Sequence, residues 1–396
     1  MIFLTNSPDS KIIEYGRYIA KLIASSVNNS TPPEAFDGID WEVLYQCATF
    51  HNVSALIFPS VSKLSVPAEV MDKFKYDNYR MVAREARQEL ESRRIFKLIG
   101  DNGIPFIKLK GITIKNIYPL PYMRTHSDID ICVSPSDRER CKQIMKDAGY
   151  KLDSSIDYHD EYSKDNFFIY EIHSSVMSLR SPFYSMFDDP FSKTKKDSDN
   201  TGYVFTDEYF YLSLFIHLYK HFISEGCGIR LFSDLYVFSK NHPDLDMGFI
   251  RDILKNYGLI DFYGHITRLC ELLFDGGDLD GRYAAISEFI FRSGEYGSPE
   301  LKRISWISSD KSANISFSDK TRYFLGNWFP GVKVMSKRHP VLNKAPFLLP
   351  FFWIYRGFYT LVRRPHSLRK QRDEIKKMNS DEIKTAKHVR NLAGIK

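Results

Sequence analysis

Three short runs with the two-residue alternation of a strand interrupt a chain that elsewhere repeats with the period of a helix. They are IPFIKLKG from Ile104, DIDICV from Asp128 and NFFIYEIHSSV from Asn166. Between the first two lies ITIKNIYP, which reads as a short helix stopped by Pro119. Between the second and third, SPSDRERCKQIMKDAGY reads as a helix capped by Ser134 or Ser136 and closed at Gly149. Strand, helix, strand, helix, strand is the order of a mixed α/β core. Helical patterns precede it at residues 11–28, at 40–58 with Asp40 as N-cap, and from Glu69 to Asp101. That last helix draws its apolar positions from residues such as Phe74, Tyr79, Val82, Leu90 and Ile95, and Asn102-Gly103 stops it. After about residue 205 the helical period returns in DEYFYLSLFIHLYKHFISEG, IRLFSDLYVFSK and MGFIRDILKNYGL. The expected class is α/β (α+β), a mixed-sheet core flanked by N-terminal and C-terminal helical regions. The expected divisions are 1–102, 103–200, 201–345 and an aromatic, basic segment 346–396.

The second run carries two acids one residue apart. Alternation turns Asp128 and Asp130 to one face and Ile129 and Ile131 to the other. Two carboxylates at about 5 Å repel by roughly 3 kcal/mol at an effective dielectric near 20. A divalent cation offsets that repulsion well, since Mg²⁺ favours one or two carboxylates together with phosphate oxygens. An exposed edge strand with solvated aspartates is the plain alternative. Glu171 in the third run shares a face with Ile169 and His173, and an acid in so apolar a strand needs a partner or a metal. If the strands are neighbours, Asp128, Asp130 and Glu171 surround one or two metal ions, an arrangement suited to phosphoryl or nucleotidyl transfer.

Other residues fall near this centre in the sequence. Gly111 lets a backbone approach a phosphate, and Lys110 before it reaches one as a point charge; Lys108 shares the strand face of Lys110. Arg124 either clamps a phosphate through its planar fork or pairs with the acids. His173 orients Glu171 or is simply a satisfied structural histidine. His217 and His221 stand at helical spacing, with no neighbouring acid that would make a zinc site of them. His221, Arg230 and Asp234 are candidates to line the acceptor or base side of the cleft, and Arg230 and Asp234 equally suit a plain i,i+4 ion pair. GxSxG, a P-loop, GxGxxG and HRD are all absent, so no nucleophile, dinucleotide or kinase site competes.

Together the features resemble the nucleotidyltransferase superfamily that shares the DNA polymerase beta catalytic fold. More closely, the chain is similar to the uncharacterised nucleotidyltransferase family with an LKG…R…DIDI…E-hydrophobic-H pattern. The matching residues are Leu109-Lys110-Gly111, Arg124, Asp128-Ile129-Asp130-Ile131 and Glu171-Ile172-His173. A looser likeness runs from the first helices to about residue 245. The resemblance implies metal ligation by Asp128, Asp130 and Glu171, with Mg²⁺ as cofactor (two ions, Mn²⁺ as a substitute). It also implies a nucleoside triphosphate donor, ATP included, and transfer of its nucleotidyl group to an acceptor hydroxyl. The acceptor stays open among RNA, protein, a small molecule and a glycan precursor. A catalytically silent nucleotide- or partner-binding protein on the same fold is the alternative, and a metal-dependent phosphohydrolase ranks below both.

Composition bounds the rest. The chain is 43% hydrophobic and 15% aromatic, enough for a sizeable core, with a formal charge of +6. Its five cysteines are scattered without a CxxC pair, which argues against a disulfide framework or zinc ribbon and for a reducing cytoplasm. The opening MIFLTNSPDSK lacks the basic start and long apolar stretch of a secretory signal. Residues 351–396 hold 12 Lys+Arg against 4 Asp+Glu, so the basic excess sits at this end. It suits nucleic acid or an anionic membrane. APFLLPFFWIYRGFYTLV, from Ala345 to Val362, is broken by Pro350 and Arg356. A helix packed on the body is the simpler reading; a helix lying in the inner membrane surface is the other, giving a cytoplasmic protein with peripheral contact.

Overall fold

The computed structural model describes residues 9–156, 158–165, 167–179, 181–198, 201–295, 297, 332–335, 340–343, 345–355 and 380–395. Seven strands form one mixed sheet: β1 (Phe106–Lys108), β2 (Ile129–Val133), β3 (Lys151–Ser155), β4 (His159–Lys164), β5 (Phe168–His173), β6 (Thr194–Lys196) and β7 (Tyr203–Phe205). Their order is β3-β4-β5-β2-β1-β7-β6. β2 runs parallel to β5 and antiparallel to β1, and β4 pairs antiparallel with β3 and β5. The expected mixed α/β architecture is the one observed.

Helices α1 (Asp9–Val27), α2 (Trp41–Phe50), α3 (Ser54–Val61) and α4 (Ala68–Asp101) precede the sheet. Asp40 caps α2 as its sequence suggests, its side chain accepting from the amides of Glu42 and Val43. The helix expected over 40–58 is two helices, because the chain turns at Asn52, whose φ is +53°. Within the sheet lie α5, the single turn Gly111–Ile114, and α6 (Arg138–Asp147). After it come α7 (Asp207–Ser224), α8 (Ile229–Asn241), α9 (Met247–Asn256), α10 (Ile260–Cys270) and α11 (Gly281–Ser293).

Alternation sorts the sheet into two faces. Ile129, Ile131 and Val133 of β2 join Phe168, Tyr170 and Ile172 of β5 on one face. There they pack under Ile95, Phe96 and Ile99 of α4 and Cys141 and Met145 of α6. Each fully buried side chain of this size contributes about 1.5–3 kcal/mol. The other face, through Ile107, Leu109 and Cys132, enters a larger core shared by α1–α3 and α7–α11. This second face carries Asp130. The site is thus built between the sheet and the helical region rather than under α4.

Several expectations are corrected. β3, β4, β6 and β7 are strands whose polar sequences, such as KLDSS and HDEYSK, hide them from a periodicity argument. Tyr79, Val82 and Leu90, read as core positions of the long helix, are exposed. All five cysteines are buried free thiols. Of the aromatic run from Ala345 to Val362, only the part to Tyr355 falls within the described residues. There Phe347, Phe351, Ile354 and Tyr355 are exposed, while Leu348, Phe352 and Trp353 are half-buried. Among the described residues no helix is long and apolar enough to cross a membrane.

Candidate active site

Asp128 ends the loop before β2, and Asp130 is the second residue of that strand. The parallel register sets Asp130 directly opposite Glu171 on β5. One carboxylate oxygen from each of Asp128, Asp130 and Glu171 lies within 4.8 Å of the other two. Three acids from two extended segments therefore meet at one point. Their oxygens are the hard donors a Mg²⁺-like cation takes, so the residues present fit such an ion.

Ser127 Oγ donates to Asp128 Oδ1 at 3.1 Å, and two cationic partners engage the other acids. Lys110 Nζ lies 3.0 Å from Asp130 Oδ1. His173 Nε2 lies 2.9 Å from the same oxygen and 3.2 Å from Glu171 Oε2. Burial by itself raises the Asp130 carboxyl pKa, but Lys110 and His173 outweigh it and hold the group well below the usual carboxylate range. For Asp128 burial dominates and the Asp130 charge adds to it, so its pKa is raised. Burial disfavours the charged Lys110, yet the attraction of Asp130 and then Asp128 keeps its pKa above the ordinary value. His173 is likewise raised, its desolvation outweighed by hydrogen bonds to Asp130 and Glu171. The two neighbouring carboxyls are thus shifted in opposite directions, Asp128 upward chiefly by burial and Asp130 downward by its cationic partners.

The turn that delivers Lys110 is tight. Lys110 itself has φ +46°, and a Cβ on Gly111 would stand 2.9 Å from His126 Cβ. Gly111 is therefore demanded by the approach of His126. The helix after it is a single turn, too short to gather the macrodipole that an N-terminal phosphate site uses. Buried Lys115, just beyond, pins this segment to α4 through Glu85 at 2.6 Å and Glu89 at 2.8 Å. His126 fixes the loop before β2: its carbonyl accepts from Arg84 and Gln88, and its Nδ1 lies 2.9 Å from the Asp128 carbonyl.

The remaining sequence candidates divide. Arg124 is buried away from the acids and grips Asp234 of α8 with both arms of its fork, at 2.6 and 2.7 Å. Tyr118 donates to the same carboxylate at 2.8 Å. Neither a phosphate clamp nor a pairing of Arg124 with the acid cluster is what the geometry gives. Arg230 lies 2.6 Å from Glu295 and donates to the Thr125 carbonyl, so Arg230 and Asp234 face other partners rather than one another. Lys108 is buried against Asp197 at 2.6 Å. His221 lies 3.2 Å from Glu225, with its ring 4.5 Å from that of His217.

On α7, His217 and the solvent-exposed Lys220 lie within electrostatic reach of the centre. Burial, then His221, Lys110 and other charges depress the His217 pKa, and Lys220 is lowered by burial and by Lys110. Helical spacing with His221 singles out the first and nothing singles out the second, since nothing in a helical repeat says which turn meets the acids. His159 on β4 was also missed. It lies opposite His173 in register, and one nitrogen of each ring and a Glu171 oxygen lie within 4.8 Å of one another.

Residues 37–275 match the model of a family described as uncharacterised nucleotidyltransferase. Among solved structures, that of the antibiotic-resistance factor ANT(2'')-Ia is similar, with 12% identity over 46% of this chain and 98% of that one, at a TM-score of 0.35. No curated protein matches.

Proposed function

Because the chain belongs to the uncharacterised nucleotidyltransferase family, we propose that it transfers a nucleoside monophosphate from an NTP to an acceptor hydroxyl at Asp128, Asp130 and Glu171. The observation that carries this reading is the convergence of those three carboxylates. Asp128, Asp130 and Glu171 would hold one or two Mg²⁺ ions. Bound there, the metal supplies Lewis-acid charge that offsets the triphosphate and acidifies the attacking hydroxyl. Lys110 changes partner from Asp130 to a phosphate oxygen as donor and cation arrive. Its strained turn holds the ammonium just past the end of β1, in the middle of the sheet, beside Asp130. His173 keeps Asp130 aligned by donating its Nε2–H to that carboxylate, with Glu171 Oε2 3.2 Å from the same nitrogen. Arg124 and Asp234 fix the loop that ends at Asp128, and contact no substrate. Residues 103–200 carry the chemistry in this reading, and α7 forms the facing wall through His217 and Lys220. RNA, protein, small-molecule and glycan-precursor hydroxyls are the acceptor classes to be compared.

The test is pyrophosphate release from labelled NTPs with Mg²⁺ across those acceptor classes. Asp128→Asn is expected to lower the rate by at least about a hundredfold, as loss of an electrostatic catalytic group does. Metal-independent release, or release unchanged in Asp128→Asn, refutes the assignment.

One observation favours a second reading, a catalytically silent nucleotide-binding protein. Lys110 and His173 already neutralise Asp130 from within the chain. Nucleotide binding that persists in an Asp128→Asn/Asp130→Asn variant is the result this alternative expects.

A further inference from the structure

His173 presents its two ring nitrogens to different surroundings. Nε2 faces the carboxylates of Asp130 and Glu171, which only accept, so that nitrogen carries the hydrogen. Nδ1 is buried and has no hydrogen-bond partner among the described residues. The His173 side chain is only 4% exposed, so bulk water does not satisfy that atom. Across the β4–β5 pair stands His159, its ring centroid 5.0 Å from that of His173. Its Nδ1 is also buried without a partner. Both rings lie beside Glu171, whose carboxylate has a second oxygen to offer.

We propose that His159, His173 and Glu171 form a second divalent-cation site, next to the acid cluster, that takes a nitrogen-preferring transition-metal ion such as Zn²⁺. Two imidazoles and one carboxylate are the donor set of a borderline-soft ion, whereas Asp128 and Asp130 suit a hard one. The Nε2–H of His173, donating to Asp130, reproduces the outer-shell carboxylate that orients metal-bound histidines. An ion entering there displaces any second proton on the ring. Glu171 then joins two unlike sites. The inference rests on the reading of Glu171 as a metal ligand, but not on nucleotidyl transfer.

The probe is Mn²⁺ added to the full chain without nucleotide, followed by pulsed electron paramagnetic resonance. The native protein is expected to show Mn²⁺ coupled to ¹⁴N together with Mn²⁺ held through oxygen alone. Zn²⁺ should remove the ¹⁴N-coupled signal first, since it outcompetes Mn²⁺ at nitrogen sites, and excess Mg²⁺ the oxygen-only one. His159→Gln should reduce the ¹⁴N coupling from that of two imidazoles to at most one and weaken that ion by about tenfold or more, the scale of losing part of a coordination shell. Asp128→Asn should keep it. Mn²⁺ bound through oxygen alone in the native protein overturns the proposal while leaving the acid cluster standing. So does ¹⁴N coupling unchanged in His159→Gln. Should that variant fail to fold, the Zn²⁺ competition in native protein still decides. Absence of all Mn²⁺ binding refutes this site and the acid site together.

Discussion

Lys110 holds a backbone angle that L-residues avoid, at an expense on the order of 1–2 kcal/mol. The ion pair with Asp130 offsets it, and the strain puts the ammonium where the acids meet. Gly111 beside it has no such freedom to change. Gly111→Ala pushes a methyl group into the Cβ of His126 and is expected to lower stability by about 1–3 kcal/mol, read as a lower urea midpoint. An unchanged midpoint would mean the loop yields. At this scale the acids were legible, because alternation alone puts Asp128 and Asp130 on one face. Glu171 followed from the oddity of an acid in an apolar strand. His159 was not legible, since it lies in HDEYSK, where nearly every residue is polar and no position stands out.

A deeply buried ion pair ties two of the elements together. Arg124 and Asp234 are 110 positions apart and join the loop before β2 to α8. Arg124→Met leaves a buried carboxylate unpaired, which costs about 3–5 kcal/mol. Arg124→Met/Asp234→Leu removes both charges and should recover most of that loss. Thermal or urea unfolding of the two single and one double variants makes the cycle; additive losses would contradict the pairing. No sequence argument finds such a partner, because spacing on a helix proposes i,i+4 neighbours and Arg230 was the nearer candidate. Among elements, α1, α4 and α7–α9 were readable from their helical period, whereas α10 and α11 were not singled out. The two outer hairpins, β3–β4 and β6–β7, were not, since strands with polar faces lose the alternation that reveals them.

Across the molecule, helices from before and after the sheet share one core, and His51 is where they are tied. Its Nε2 donates to the Phe291 carbonyl in α11 at 3.1 Å, and burial pushes its pKa down to about 4. The unfolded chain takes up that proton near 6.5, the folded one only near 4. Between those values the unfolded state binds more protons, so stability is full above pH 6.5 and falls as pH drops toward 4. Urea midpoints measured over that window should decline in the native protein and decline less in His51→Gln; equal slopes would remove His51 as the cause.

The parallel pairing of β2 with β5 has a bearing on how the molecule comes into being. A chain leaving the ribosome presents Asp128 and Asp130 some forty residues ahead of Glu171, with β3 and β4 emerging between them. The late strand must slip in next to the early one, inside the hairpin that preceded it, before three acids share a location. Such long-range closures come late in folding. The three-acid cluster is therefore withheld from every nascent or half-folded copy, and forms only in one that has finished.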